Sequence, residues 1–164
     1  MSYGMHHALR DVIKDLRDYR PLLQALTDKE IIAYGDSYGR YYGGTDTSDI
    51  KRQITEGWPR DEQSEPIVVR VQPITETSGH RGMAVSRQFR LQFSVVATQE
   101  WRDDQLAPTY EQARIMSLVA DRMDGGLSID DVLPGETASG SWQEVTGDRL
   151  ALIQDWQVES VSEL

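Results

Sequence analysis

From Ser86 to Thr98 the chain reads SRQFRLQFSVVAT. Phe89, Leu91, Phe93, Val95 and Ala97 alternate with Gln88, Arg90, Gln92, Ser94 and Val96. A period of two predicts a strand with one buried face and one largely wet face. Upstream, Pro66 precedes Ile67-Val68-Val69-Arg70-Val71-Gln72-Pro73-Ile74, a β-branched strand. Between the two lies TETSGHRGMAV, read as a long hairpin tip with Gly79 and Gly82 supplying turn freedom.

The period changes to that of a helix at three places. Leu9, Val12, Ile13 and Leu16, with Tyr19, predict an amphipathic helix over residues 5–19. Pro21 opens a short helix with Leu22, Leu23 and Leu26 on its apolar side. Thr27 and Glu30 have capping-box spacing, but only Ile31 and Ile32 follow, so that segment reads as a turn into a short strand. After a loop, WRDDQLAPT, the residues Tyr110, Ala113, Met116, Leu118, Val119 and Met123 line a helix over about 109–124. Gly125-Gly126 end it.

A last strand runs from about Arg149 to Val161. Leu150, Leu152, Trp156 and Val158 fall on one face, and Ala151, Ile153 and Val161 on the other. Burial on both faces places this strand inside a sheet or at a subunit contact. Two stretches, about 34–66 and 127–146, show no clear period and read as long loops. No repeat or linker divides the chain, so residues 1–164 are read as one domain. The economical architecture is α+β. A small, mainly antiparallel sheet, the hairpin plus the C-terminal strand, carries the N-terminal and central helices on one face.

Composition narrows the class. The apolar runs are only a few residues long, too short for a membrane-spanning helix. The N-terminus reads as a helix and not as a signal peptide. The chain has no cysteine, hence no disulfide frame and no thiolate chemistry. It has no asparagine, hence no N-glycosylation site. The formal net charge is −10, with 14 arginines, 3 lysines and 27 acidic residues. Scarce lysine with abundant acid suits a high-salt cytoplasm, where salt screens the repulsion between carboxylates. The same bias also follows from GC-rich codon usage.

The charge is uneven. Residues 121–164 hold ten acids against Arg122 and Arg149, a local net of −8. Residues 66–102 hold Arg70, Arg81, Arg87, Arg90 and Arg102 against Glu76 and Glu100, a net of +3. That asymmetry suits head-to-tail contact between copies. It equally suits a solvated acidic region beside an ordinary strand. Tyr38, Tyr41, Tyr42 and Trp58 in the first long loop are aromatic anchors of the type enriched at interfaces. A base-stacking platform is the alternative, but seven acids offset four cations there.

Candidate chemistry is sparse. His6, His7 and His80 are the only histidines, and adjacent residues on a helix do not share a face. Asp103-Asp104 and Asp130-Asp131 lack the alternating oxygens of a calcium loop. GGTDTSD at 43–49 lacks the lysine of a phosphate loop, and no G-x-S-x-G elbow occurs. Some pair among the 27 carboxylates could still meet in space for acid–base work. No catalytic residue, metal or cofactor is assigned, and the chain is not expected to be an enzyme.

The order ALRDVIKDLRDYRPLLQAL, PIVVRVQP, RQFRLQFSVVAT, YEQARIMSLVADRMDGG and DRLALIQDWQVESV resembles the tail terminator (tail completion) proteins of long-tailed viruses of bacteria and archaea. The stretches 34–66 and 127–146 depart from that pattern. The resemblance implies a hexameric ring at the head-proximal end of the tail, in the virion. Such a ring ends polymerisation of the tail tube protein and joins the tail to the head connector or stopper. Genomic DNA would pass through the lumen without sequence-specific binding, since an acidic lining offers no cations to hold phosphate.

With the salt-adapted composition, the implied source is a virus of a salt-loving archaeon. Arg87 and Arg90 are expected on the outward face of their strand, meeting an acidic face of the next subunit. Tyr38, Tyr41, Tyr42 and Trp58 join them as interface candidates, with His80 and Arg81 at the hairpin tip. The alternatives are another neck or minor tail protein or, from a different class, a small acidic enzyme or ligand-binding domain.

Overall fold

The structure is a computed structural model. It describes residues 4–31, 33–35, 41–58, 65–81, 84–123, 132–137, 141–145 and 148–163. Five helices are described: α1 (Met5–Arg17), α2 (Arg20–Ala25), α3 (Ser48–Lys51), α4 (Gln99–Asp103) and α5 (Pro108–Asp121). The strands are β1 (Ala33–Gly35), β2 (Tyr41–Gly44), β3 (Ile54–Glu56), β4 (Ile67–Arg81), β5 (Ala84–Thr98), β6 (Val132–Thr137), β7 (Ser141–Val145) and β8 (Arg149–Glu163).

β1 and β2 form a separate antiparallel pair. The main sheet runs β3-β4-β5-β8-β6, with β7 also paired to β8. β3 is parallel to β4 and every other pairing is antiparallel. The α+β class and the mainly antiparallel sheet therefore stand.

Four expectations change. The hairpin has no long tip: β4 and β5 stay paired out to Arg81 and Ala84. Fifteen residues at about 3.3 Å each give strands about 50 Å long. A register shift between Pro73 and Thr75 lets β4 pass its proline, whose missing N–H cannot join a regular ladder. The stretch 34–66 holds β1, β2, α3 and β3 instead of one loop. The stretch 127–146 holds β6 and β7, which lie end to end along the free edge of β8. Finally, α4 occupies part of WRDDQLAPT, started by Thr98, whose Oγ1 accepts from the Trp101 N–H at 3.2 Å.

The core lies on one face of the sheet. Leu91, Phe93, Val95 and Ala97 of β5 are fully buried beside Ile67, Val69 and Val71 of β4. Val12 and Leu16 of α1 and Ile115, Met116 and Val119 of α5 cover them. Trp156 and Val158 of β8 join this cluster, while Ala151 and Ile153 form a second one with Val96 on the other face. The split of β8 into two apolar faces is as its sequence indicates.

The apolar stripe of α5 is rotated from the expected one. Gln112 is fully buried in it and Tyr110 is 65% exposed. The Gln112 Nε2 donates to Val95 O at 3.1 Å and to Leu150 O at 3.0 Å. Two strand carbonyls thereby gain a partner, and the helix turns its amide, not its tyrosine, to the sheet.

Candidate assembly surfaces

Arg87 and Arg90 do not form one face. β5 pairs with β8 in unbroken register from Ala84 to Thr98, so residues three apart point to opposite sides. Arg87 shares the side of Phe89, and its Nη1 lies 3.7 Å from Oε1 of Glu76, the residue opposite Phe89 on β4. Arg90 is exposed on the other side, between Thr75 and Gln157. The expected joint basic face is corrected on this ground.

The remaining candidates scatter. Trp58 follows β3 at one edge of the sheet and is 49% exposed. Gly57 directs it there with φ 127°, a left-handed conformation open to glycine, and donates its N–H to Val71 O at 3.0 Å. Tyr41 and Tyr42 belong to β2, and their side chains lie outside the described residues, as does the whole of Tyr38. His80 and Arg81 are the last residues of β4, paired with Val85 and Ala84 at the hairpin end.

Two surfaces emerge that sequence reading missed. The first is an open groove of about 670 Å³ between α1 and the β3 edge. Leu9 and Ile13 contribute apolar area, and Arg10, Lys14, Arg17 and Lys51 contribute four cations against Asp18 and Glu56. Arg17 donates from Nε to Ile54 O at 2.8 Å, which caps an edge carbonyl of β3. Lys51 lies 3.5 Å from Asp18. Lys14 is exposed and has no ion pair among the described residues. Two of the chain's three lysines therefore meet in one groove of a protein with net charge −10. A second cavity of about 400 Å³ continues past Arg17, Asp18 and Lys51 to Leu23 and Ile31.

The second surface is the corner where α4 meets α5, beside β7. Leu106 is fully exposed, Tyr110 is 65% exposed and Trp142 is 41% exposed. The Arg102 guanidinium lies 6.0 Å from the Trp142 ring centre, and its Nη2 reaches Thr109 Oγ1 at 3.4 Å. Glu100 and Asp103 of α4, Asp104 directly after it, and Glu144 of β7 are exposed on the elements that make this corner. Aromatic and aliphatic side chains without cover, rimmed by charge, mark contact surfaces more often than solvent ones.

Behind both surfaces the helices are locked together. Arg122 grips Asp15 with both ends of its fork, Nε to Oδ2 at 2.7 Å and Nη2 to Oδ1 at 2.9 Å. The pair joins the end of α5 to α1, and the guanidinium also stacks 5.0 Å from the Tyr19 ring centre. The hydrogen bonds that Arg122 donates to Asp15 hold it above the usual arginine range, so this cation stays charged at any working pH. Among the described residues, no three His, Asp or Glu side chains gather as a metal site. No helix among them is long and apolar enough to cross a membrane.

No family model matches the chain, and no curated protein matches it by sequence. Solved structures do. One chain of the virion of the native gene transfer agent (GTA) particle superposes with a TM-score of 0.61. The two chains share their fold. The match covers 98% of this chain and 100% of that one, at 12% sequence identity. At that identity the likeness speaks for the architecture, and it takes in the elements at 34–66 and 127–146 along with the rest.

Proposed function

We propose that the protein is a structural component of a tailed virion, acting at the head-proximal end of the tail as a tail terminator. Six copies would close a ring, cap the tail tube and join it to the head connector or stopper, with genomic DNA passing through the lumen. The observation that carries this reading is the fold likeness to a GTA virion chain over essentially the full length of both. Two further features support it. The element order that resembles tail terminators survives in the fold, as α1, the β4–β5 hairpin, α5 and β8. The surfaces left open by the core, an aromatic corner and a basic groove, have the composition of contact surfaces and belong to opposite edges of one sheet. In this reading no step of chemistry is assigned to the chain.

The test is to polymerise the tail tube protein of the same virus with and without this chain, and to image the products by negative-stain electron microscopy. Tubes that become shorter and carry a ring at one end support the reading. Tubes of unchanged length with bare ends would remove the capping role. Rings that bind the head connector but not the tube would move the protein to another position in the neck. The proposed source, a virus of a salt-loving archaeon, requires that rings persist in molar potassium chloride. Rings that fall apart there would contradict that source.

A further inference from the structure

The groove beside α1 and the corner beside β7 both combine apolar residues with charge, and the two charges are of opposite sign. The groove has an apolar floor, Leu9 and Ile13, and a basic rim that includes Arg10 and Lys14. The corner has apolar projections, Leu106 and Trp142, and a rim of four carboxylates, Glu100, Asp103, Asp104 and Glu144, against the single Arg102 guanidinium beside Trp142. They also lie at opposite edges of the sheet. β3 borders the groove, β7 carries Trp142, and β4, β5 and β8 stand between them. At about 4.8 Å per strand, the two edges are roughly 19 Å apart. Both surfaces are on the side of the sheet that carries the helices. α1 lines the groove, and Trp142 pairs with Leu152, which packs on the helix-side core.

On this basis we infer that the occupant of the groove is a second copy of this chain, seated by its Leu106–Trp142 corner. The inference rests on the ring reading above and specifies the contact that would close the ring. Nucleic acid is the other polyanion the basic rim could attract. The apolar floor and the two carboxylates in the lining, Asp18 and Glu56, favour a polypeptide with an apolar centre over a phosphate backbone. The corner supplies such a centre. Trp142 and Glu144 are two residues apart on edge strand β7, so both point to the same side of the sheet. An indole and a carboxylate side by side match a floor of leucine and isoleucine bordered by cations. A contact of this type uses two different surfaces. Each added copy therefore leaves one groove and one corner unfilled until the ring closes.

Two variants and their mixture test the contact. Arg10→Glu with Lys14→Glu reverses the groove rim, and Leu106→Arg with Trp142→Arg replaces the corner's apolar centre by charge. Each variant alone is expected to associate more weakly by on the order of tenfold or more, and to run as a single copy in native mass spectrometry. An equimolar mixture is expected to stop at two copies, because one intact groove then meets one intact corner. A milder pair, Lys14→Glu with Glu144→Lys, restores association in the doubly substituted chain if these two charges face each other, and guards against a folding failure of the first set.

Variants that melt like the wild type and still form wild-type rings would overturn this contact and leave the ring reading intact. A mixture that remains single copies while both variants are folded would overturn it as well. Wild-type protein that never exceeds one copy would overturn the ring reading together with this contact. Binding of a short DNA duplex, lost in the Arg10→Glu, Lys14→Glu variant and competing with self-association, would assign the groove to nucleic acid instead.

Discussion

β5 and β7 belong to one sheet with only β8 between them, yet they have opposite fates. β5 buries Phe89, Leu91, Phe93, Val95 and Ala97 completely, and even Ser94 and Val96 on its other side. β7 leaves Ser141, Trp142, Gln143 and Glu144 exposed. Both strands send successive side chains to opposite faces of the sheet. The difference is cover: α1 and α5 pack their apolar side chains over the middle of the sheet, whereas at the β7 edge the Arg102 guanidinium of α4 approaches the Trp142 ring and still leaves it 41% exposed. A large aromatic on a covered strand contributes to stability. The same kind of residue on an uncovered edge strand remains available to a partner.

If that contrast is correct, substitutions at the centre lower the melting temperature, and substitutions at the edges change association alone. Phe93→Ala should have the largest effect, about 3–5 kcal/mol of lost stability in denaturant titration, because a fully buried ring leaves a cavity under two helices. Asp15→Ala should cost roughly 2–3 kcal/mol, since it strands the Arg122 guanidinium at the α1–α5 junction. That lies below the range for a wholly buried pair because the Arg122 side chain is 22% exposed. Gln112→Ala should cost about 1–3 kcal/mol by leaving the carbonyls of Val95 and Leu150 without their shared donor. A Phe93→Ala protein that melted like the wild type would break the comparison at its stronger end.

At the edge the expected change in stability is close to nothing. Leu106→Ala or Trp142→Ala should stay within about 0.5 kcal/mol of wild type while weakening self-association. A loss of several kcal/mol there would show that the corner is part of the core.

The smallest effect is one of pH. Backbone and side-chain hydrogen bonds from Ser48 hold the exposed Asp46 carboxyl below its ordinary value of 3.8. A carboxylate with a lowered folded-state value stabilises the fold above pH 3.8, and that contribution fades as the pH falls through the lowered value. Wild type and Asp46→Ala should therefore differ slightly in denaturant midpoint at pH 6 and converge in strong acid.

The covered half of the molecule was legible in the sequence for a physical reason. The fully buried face of β5, from Phe89 to Ala97, and the two apolar faces of β8 leave a periodic trace in residue type, and so does the stripe of α1; the burial of Ser94 on the other side of β5 leaves none. The edge strands leave no such trace. β6 contains Pro134 and Gly135, which read as loop signals, yet an outer strand tolerates both because it pairs on one side only. The groove was invisible because α1 forms it with Lys51, Thr55 and Glu56, some forty residues further along. The joint placement of Arg87 and Arg90 was a misreading of parity. Three residues along a strand reverse the side, and the pairing of β5 with β8 contains no bulge to restore it.

A ring of this chain requires that the open edges of its sheet meet each other in a closed assembly. Negative-stain electron microscopy of the purified wild-type chain tests this most directly. Closed rings of about six copies with a central opening are expected, from contacts that pair one edge with the other. Single copies at every protein concentration, or two-fold dimers that pair like edges, would contradict it.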